Sequence, residues 1–305
     1  MRVAVIGCGA VGSLFAAHLA QVDDVEVWAY DLDRAHVAAI NERGLRLSGA
    51  ADVVGRVRAT SDAGELPPCE FGIVATKSMH TRRAVAAVAH AFAEGAVASV
   101  QNGAGNEELI AELVPQVIRG TTFPAGHIVE PGHVCMDTRG DTQLGPFEPK
   151  PAPLERVREL AEACTRGGMP THALEDARGA QWRKLIFNAA SNPIAALTGL
   201  THGQVWELER TQRVARGVMA EGRAVADAQG IVLDSDPVEL FEWSAGRDVA
   251  YAHKPSMLQD VEAGRATEID FLNGAIVDFG ERHGVDAPLN GALTALVHGL
   301  ERSRA

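Results

Sequence analysis

Short apolar segments rich in β-branched residues alternate with amphipathic segments through the first part of the chain. RVAVI at 2–6, VEVWAY at 25–30 and FGIVA at 71–75 are typical of buried strands. VGSLFAAHLA at 11–20 has the spacing of a helix. Further segments of these two kinds predict helices at 33–43 and 81–93 and a strand at 96–100. This alternation predicts parallel βαβ units with right-handed crossovers, and therefore an open, doubly wound α/β sheet.

The pattern changes at two later points. Between residues 120 and 146, the turn signals EPG and RGD predict antiparallel strands added to the sheet. A helix at 153–166 and a short strand at 171–174 would close the first domain. The amphipathic segments that follow predict helices at 179–197, 203–228, 237–249, 267–283 and 289–301. We therefore predict an α/β domain at 1–175 and an all-helical domain at 176–305, with a ligand in the cleft between them.

The composition restricts the kinds of partner. The 305 residues carry a formal net charge of −12, which disfavours nucleic acid and anionic membranes because both attract basic surfaces. The first strand runs directly into a glycine turn, so we expect no signal peptide, and no apolar run reaches the roughly 20 residues of a membrane span. The cysteines form no CxxC pair; they are Cys8, Cys69, Cys135 and Cys164. We expect free thiols and a cytoplasmic protein.

Gly7, Gly9 and Gly12 form a GxGxxG motif between the first strand and the first helix. In a dinucleotide site the first glycine makes a tight turn, the second lets the backbone approach a pyrophosphate, and the third lets the helix pack closely on the sheet. The N–H groups of the helix N-terminus would then face the phosphates. The predicted cofactor-binding residues of this loop are Gly7, Cys8, Gly9, Ala10, Val11 and Gly12. The motif favours a Rossmann-type cofactor site over a purely structural turn.

Asp31 ends the second predicted strand, 24 residues after Gly7. A carboxylate at this spacing accepts hydrogen bonds from an adenosine ribose and repels a 2′-phosphate, which favours NAD over NADP. Arg34 is the complication, because a guanidinium could bind that phosphate. Asp33 and Arg34 fit equally well as first-turn helix residues that face water.

Lys184, Asn188 and Asn192 are spaced by four within KLIFNAASNP. Each step of four rotates only ~40° around a helix, so the three polar groups share one face. Pro193 follows directly and removes one helical N–H, which predicts a bend. A lysine and two amides directed into a cleft would suit a substrate oxygen with a carboxylate nearby. The alternative is a solvated polar helix face.

A second polar segment, SMLQDVEAGRATEIDFLN, spans residues 256–273. Glu268 lies just inside the predicted helix at 267–283, with Thr267 as the expected cap. An acid in a first helical turn is stabilised by the helix dipole alone. This purely structural explanation stands beside a role for Glu268 in a binding site.

The chain resembles the ketopantoate reductase family (2-dehydropantoate 2-reductase) over nearly its full length. The segments that carry the resemblance are GCGAVGSLFAAHLA at 7–20, VATKSMHT at 74–81, QNGAGN at 101–106, EPGHV at 130–134, WRKLIFNAASNPIAALTG at 182–199 and SMLQDVEAGRATEIDFLNG at 256–274. The last two are the most specific, because many Rossmann proteins share the first. The resemblance agrees with a Rossmann domain followed by a helical domain. It implies reduction of the C2 carbonyl of a branched 2-oxo acid by NAD(P)H, with 2-dehydropantoate as the expected substrate.

The resemblance also implies a role for individual residues. Lys184 is similar to the family's catalytic lysine, which donates a proton to the carbonyl oxygen. Glu268 is similar to the acid that binds the hydroxyl end of the substrate. Asn102 matches an asparagine near the nicotinamide and the substrate, and Lys77 matches a lysine of the cofactor cleft. The positions that match holders of the substrate's polar groups are Asn188, Asn192 and Ser256.

The chemistry suits these residue types. Hydride transfer to C2 of a 2-oxo acid leaves negative charge on oxygen, which a protonated lysine stabilises and then neutralises. Partial burial and any neighbouring positive charge would lower the pKa of Lys184 toward neutrality. Glu268, if close enough, would oppose that shift.

The sequence departs from the family at the cofactor site. Many members use NADPH and have a basic residue where this chain has YDLDR at 30–34, so a preference for NADP is in doubt. Two alternatives remain open: a reductase of a different 2-oxo or 3-oxo acid, and a cofactor-sensing protein without catalysis. His80, His127 and His133 show no HxH or HExxH spacing, so we expect no metal site. A homodimer is expected only from the commonness of twofold assemblies.

Overall fold

The computed structural model describes residues 1–304, which form two compact units. The first comprises Met1–Gln101 and Asn106–Ala177, and the second comprises Asn102–Gly105 and the chain from Arg178 onward. This division differs from the predicted one mainly at Asn102–Gly105. The physical reason is a local contact, because the N–H of Ala104 donates to the carbonyl of Phe271 at 3.0 Å.

The first unit contains all the strands of the described chain. They are β1 (Arg2–Ile6), β2 (Glu26–Tyr30), β3 (Leu45–Gly49), β4 (Val53–Gly55), β5 (Arg58–Thr60), β6 (Phe71–Val74), β7 (Ala96–Ser99), β8 (Gln116–Thr122), β9 (Ala125–Glu130), β10 (His133–Thr138), β11 (Thr142–Pro146) and β12 (Thr171–Ala173). Its helices are α1 (Ala10–Leu19), α2 (Arg34–Arg43), α3 (Thr81–Val88), α4 (Asn106–Ala111) and α5 (Leu154–Arg166).

Eight of these strands form the main sheet, in the order β12-β11-β8-β7-β6-β1-β2-β5. The strands from β8 to β5 are parallel, and β11 is antiparallel to β8. The central strands β1, β6 and β7 are buried along almost their whole length, as expected for strands covered by helices on both faces. The predicted doubly wound α/β sheet is confirmed.

The other four strands form a second sheet, in the order β4-β3-β10-β9. The prediction that the strands within 120–146 all join the main sheet is therefore wrong for β9 and β10. The reason is an apolar face, including Leu45, Leu47 and Val134, which packs against α1. Covered in this way, α1 is buried from Gly12 to Leu19. The strands β3, β4 and β5 were not predicted, because β4 and β5 are only three residues long and β3 pairs with β10, which is distant in the sequence.

The second unit is helical, as predicted. Its helices are α6 (Arg178–Thr198), α7 (His202–Glu207), α8 (Glu209–Ala228), α9 (Pro237–Ser244), α10 (Ser256–Glu262), α11 (Asn273–His283) and α12 (Pro288–Arg304). α6 lies at the centre and packs against α7, α8, α9, α10 and α12. The helix predicted at 203–228 is two helices, because the backbone is extended at Leu208. Within the described residues, no helix has the length and apolar character that crossing a membrane requires.

Helix α6 continues through Pro193 because a side chain replaces the hydrogen bond that proline cannot make. Without an N–H at Pro193, the carbonyl of Ala189, four residues earlier, loses its helical donor. Nδ2 of Asn273 donates to that carbonyl at 3.0 Å and also donates to Oδ1 of Asn290 at 3.0 Å. Asn273 is fully buried, so water cannot take its place.

We expect Asn273→Ala to lower the free energy of unfolding by about 1–3 kcal/mol, because the buried carbonyl of Ala189 would lose its donor. Urea denaturation followed by tryptophan fluorescence measures this change, and Trp182, Trp206 and Trp243 all lie in the second unit. The control is Gln229→Ala, which removes an amide that donates to Val225 near the end of α8. A loss at Asn273 no larger than that of the control would contradict this explanation.

Candidate active site

The glycine turn after β1 has no room for a side chain at two of its glycines and open space at the third. Gly7 has φ +86°, and a Cβ atom there would lie 2.8 Å from the backbone nitrogen of Thr76. A Cβ atom on Gly12 would lie 2.0 Å from the carbonyl oxygen of Gly7. A Cβ atom on Gly9 would meet nothing within 4 Å. Gly7 and Gly12 are therefore required by the turn itself, whereas Gly9 leaves space above the backbone.

That space adjoins the N-terminus of α1. Gly9 is the N-cap residue of this helix, and no side chain caps it. The N–H groups of the first helical turn are consequently available to an anion, with the positive end of the helix dipole behind them. The Cys8 side chain is buried in the core, and burial raises the pKa of its thiol to about 12. Cys8 therefore shapes the turn itself, since its thiol is in the core and its carbonyl accepts the hydroxyl of Ser13 at 2.9 Å.

Asp31 lies at the end of β2 and is half-buried. Its Oδ2 accepts the N–H of Cys8 at 2.7 Å, and its Oδ1 accepts the N–H of Asp33 at 2.9 Å. This carboxylate therefore connects the glycine turn to the start of α2 by hydrogen bonds. The sequence alone did not predict this structural role. Each oxygen keeps a further lone pair for a ligand hydroxyl. Arg34 is the first residue of α2 and is exposed.

Lys77 lies in the connection that follows β6. It is half-buried and precedes a 3₁₀ turn at Ser78–His80. The preceding residue, Thr76, is fixed by Gln101, whose Nε2 donates to the Thr76 carbonyl at 2.9 Å. The loop after β6 and the loop after β7 are thereby linked at the carboxyl ends of neighbouring strands, where ligands of open α/β sheets bind.

In the second unit, Lys184 and Asn102 are in direct contact. Nζ of Lys184 donates to Oδ1 of Asn102 at 2.9 Å. The short segment that carries Asn102 is held by its glycine, since Gly103 has φ +89° and a Cβ atom there would lie 2.2 Å from the carbonyl oxygen of Phe271. Phe271 in turn follows Glu268 by one 3₁₀ turn, and the N–H of Phe271 donates to the carbonyl of Glu268 at 3.0 Å. A lysine, an amide and an acid are thus brought together.

Burial and the neighbouring charges change the pKa of the Lys184 amine. Burial lowers the pKa of Lys184 from 10.5 to about 8, the negative charge of Glu268 opposes this shift, and the positive charge of Arg183 adds to it. The expected lowering by burial and a neighbouring positive charge, with opposition from Glu268, is confirmed. The Glu268 side chain is itself only 6 % exposed. An amine with this pKa exchanges a proton readily near neutral pH.

Asn192 caps a neighbouring helix. Its Oδ1 accepts the N–H of Met257 at 3.0 Å and the hydroxyl of Ser256 at 3.2 Å, both in the first turn of α10. Its Nδ2 donates to the carbonyl of Asn188 at 3.2 Å. The sequence indicated the shared face of α6 but not this cap, because α10 was not predicted. Asn188 and Asn192 are buried, whereas Ser256 is exposed.

The helix predicted at 267–283 is wrong at its start. Residues Ile269–Phe271 form a 3₁₀ turn, and α11 begins at Asn273 after Leu272 adopts φ −102° and ψ −94°. Glu268 is therefore the N-cap residue of that short turn. Thr267 supports the turn weakly, since its Oγ1 lies 3.4 Å from the N–H of Ile269. This break, rather than a continuous helix, is what allows Phe271 to meet the loop of Asn102.

Comparison with known proteins agrees with both units. The family model described as ketopantoate reductase PanE/ApbA matches residues 3–149, and the model of its C-terminal part matches residues 176–301. The chain belongs to the ketopantoate reductase family. This family is enzymatic, and its members are oxidoreductases. The predicted resemblance is therefore confirmed over both halves of the chain.

Individual relatives match this chain along nearly its whole length. The 2-dehydropantoate 2-reductase of Pyrococcus horikoshii is 36% identical, over 99% of this chain and 98% of the relative. That of Archaeoglobus fulgidus is 34% identical, over 98% of both. Among solved structures, a ketopantoate reductase of this family from Ralstonia eutropha has a TM-score of 0.89 and 33% identity, covering 100% of this chain and 99% of that one.

A second solved structure adds a ligand. D-mandelate dehydrogenase with NADH and anilino(oxo)acetate has a TM-score of 0.91 and 26% identity, covering 100% of this chain and 99% of that one. The glycine turn and Asp31 of the present chain also fit a nicotinamide dinucleotide. The open space at Gly9 and the uncapped N-terminus of α1 suit a pyrophosphate, and the half-buried Asp31 suits a ribose.

Proposed function

We propose that this protein is a 2-dehydropantoate 2-reductase, which reduces the C2 carbonyl of ketopantoate to give pantoate. One observation carries the proposal: the Lys184 amine, with a pKa of about 8, is held at 2.9 Å by Asn102. Lys184 lies in one of the two segments that resemble the family most specifically, and Asn102 lies in the matching segment QNGAGN at 101–106. A proton donor in a fixed position is what carbonyl reduction requires from the protein.

The residues of the chain divide the chemistry among them. A bound reduced nicotinamide supplies the hydride to C2. Lys184 hydrogen-bonds the carbonyl oxygen, stabilises the negative charge that develops there, and transfers its proton to that oxygen to give the alcohol. Asn102 fixes the direction of the amine. Glu268 keeps the amine protonated by its charge and accepts the substrate's hydroxyl.

The amides of α6 serve the rest of the substrate in this proposal. Asn188 is positioned to bind the carboxylate, one helical turn from Lys184. Asn192 acts less directly, since its oxygen already accepts two donors of α10, and it places the exposed hydroxyl of Ser256. Lys77 would bind the cofactor by its positive charge. These four roles extend the resemblance with the contacts described above.

For the cofactor we propose NADH as the preferred reductant. The Asp31 carboxylate is held by the N–H groups of Cys8 and Asp33, so it cannot easily turn away from a 2′-phosphate. Arg34 is exposed and would have to compensate for this repulsion. A steady-state assay with ketopantoate and each reduced nucleotide compares the two values of kcat/KM. A higher value with NADPH would reject the preference without affecting the proposed reaction.

The activity should fall at alkaline pH. Lys184 must be protonated to act as the acid, so kcat/KM should be constant below its pKa of about 8 and decline above it, approaching tenfold per pH unit. Glu268→Gln removes the charge that raises this pKa, and the decline should therefore begin at a lower pH. The pH profile of kcat/KM measures both effects.

Asp270 provides the matched control for this pH dependence. It lies two residues from Glu268 but is exposed and ion-paired to His298 at 2.8 Å. Asp270→Asn should leave the alkaline limb where it is in the wild-type protein. An unshifted limb in Glu268→Gln would show that Glu268 does not control the proton of Lys184.

A second candidate is the reduction of an aromatic 2-oxo acid. Phe187 lies three residues from Lys184 on α6 and is half-buried, and its ring contacts those of His202 and Phe241 with centroids 5.3 Å and 5.4 Å apart. Burial lowers the pKa of His202 to about 4, so this aromatic wall is uncharged near neutral pH. The likeness to D-mandelate dehydrogenase points the same way.

One assay separates these candidates. Oxidation of the reduced nucleotide is measured with ketopantoate, phenylglyoxylate and an unbranched 2-oxo acid, and the three values of kcat/KM are ranked. The highest value with ketopantoate supports the main proposal, and the highest value with phenylglyoxylate supports the second. Tight binding of NADH with no turnover of any of the three acids would reject both.

A further inference from the structure

A histidine, a cysteine and an aspartate meet on β9, an edge strand of the second sheet, and its neighbour β10. His127 on β9 lies directly opposite Cys135 on the antiparallel strand β10. Side chains opposite each other in such a pair point to the same face. Asp137 lies two residues further along β10, at a shift of register between Met136 and Thr138, and its Oδ1 is 2.9 Å from Nδ1 of His127. One possible ligand atom from each residue lies within 4.8 Å of the other two.

The donor atoms are those of a zinc site. Imidazole nitrogen, cysteine sulfur and carboxylate oxygen bind Zn²⁺ at about 2.0–2.3 Å, whereas Ca²⁺ and Mg²⁺ take oxygen ligands. A tetrahedral ion with such bonds separates its ligand atoms by about 3.3–3.8 Å. The ligand atoms of the three residues lie within 4.8 Å of one another, which is within about 1 Å of that spacing.

The surroundings favour access to the sulfur. The cysteines Cys8, Cys69 and Cys164 are buried, and burial raises the pKa of each thiol to about 12. Cys135 is half-buried. Its Sγ lies above Gly49 of the adjacent strand β3, where a Cβ atom would approach to 2.7 Å. The absence of a side chain at Gly49 therefore leaves the sulfur uncovered.

The other two residues, His127 and Asp137, are already in hydrogen-bond contact. Nδ1 of His127 and the two carboxylate oxygens of Asp137 are 2.9 Å and 3.0 Å apart. Their side chains are 55% and 42% exposed, so an ion can reach them from solvent. The thiolate and the carboxylate together would balance the charge of a divalent cation.

We propose that His127, Cys135 and Asp137 bind Zn²⁺, with water as the fourth ligand. The ion would tie β9, the edge strand of the second sheet, to β10. HxH and HExxH patterns do not reveal this site, because its ligands come from two strands joined by a turn. The proposal concerns a surface of the first unit and does not depend on the proposed reaction.

The test is a Co²⁺ titration of the full-length protein after chelator treatment. Co²⁺ is a spectroscopic substitute for Zn²⁺, and a sulfur ligand produces a charge-transfer band in the near ultraviolet. We expect this band to saturate at one equivalent of Co²⁺ and to disappear when Zn²⁺ is added. Cys135→Ser should abolish the band, and His127→Ala should weaken Co²⁺ binding at least about tenfold.

The matched control uses another exposed histidine and acid. His172 Nε2 and Asp141 Oδ2 are 3.1 Å apart on the surface of the same unit. His172→Ala should leave the Co²⁺ spectrum and affinity unchanged. Circular dichroism checks that each variant is folded. A wild-type protein without the band, or a band that persists in folded Cys135→Ser, would overturn the proposal.

Discussion

Lys184→Ala is expected to lower kcat for ketopantoate about 10²–10⁴-fold, the usual contribution of a general acid. The amine is the only group proposed to protonate the carbonyl oxygen, and Asn102, its hydrogen-bond partner at 2.9 Å, has no acidic proton to offer in its place. Binding of NADH should remain nearly unchanged, because Lys184 is not among the residues proposed to hold the nucleotide. Steady-state kinetics and a fluorescence titration with NADH measure the two effects.

Two further variants test whether the loss of kcat in Lys184→Ala comes from the loss of proton transfer. Lys184→Arg keeps the positive charge but has a far higher pKa than lysine, so it should retain charge stabilisation while transferring its proton poorly. We expect its kcat to lie between those of Lys184→Ala and the wild type. Lys150→Ala removes a lysine that donates to the carbonyl of Val114 in the first unit, and kcat should not change. Wild-type turnover by Lys184→Ala would remove the lysine from the mechanism.

Local patterns were sufficient to predict much of the fold. The buried runs of β1, β6 and β7 and the glycines of the first turn are short-range features, and the structure has them within a residue or two of the predicted positions. The face shared by Lys184 and Asn192 followed from the helical repeat alone. These features depend on residues only a few positions apart.

Contacts between distant residues could not be predicted in this way. Lys184 and Asn102 are 82 positions apart, and only the fold brings them within hydrogen-bond distance. The second sheet requires β3 to pair with β10, a parallel pairing whose partners, such as Arg46 and His133, lie far apart in the sequence. The break at Leu272 is likewise accompanied by a tertiary contact, because the carbonyl of Phe271 accepts the N–H of Ala104 from a distant loop.

The second prediction with a large expected effect concerns the glycine turn. There, one substitution should weaken cofactor binding without changing the stability of the fold. Gly9→Ala should raise the Kd for NADH at least about tenfold, roughly 1.4 kcal/mol, because the added methyl group would occupy the space proposed for the pyrophosphate. It should leave the unfolding temperature unchanged, since that space is open and the φ of −69° at Gly9 suits alanine. An NADH titration and thermal denaturation measure the two quantities.

Gly12→Ala is the matched variant, with the same added atom three residues away. Its methyl group would collide with the carbonyl oxygen of Gly7 at 2.0 Å, so the turn must open and the unfolding temperature must fall. Overpacking of this kind typically costs about 1–3 kcal/mol. Both variants should bind NADH weakly, but only Gly12→Ala should be less stable. If Gly9→Ala bound NADH as tightly as the wild type, the phosphates would have to lie elsewhere, and the glycine motif would be a structural turn.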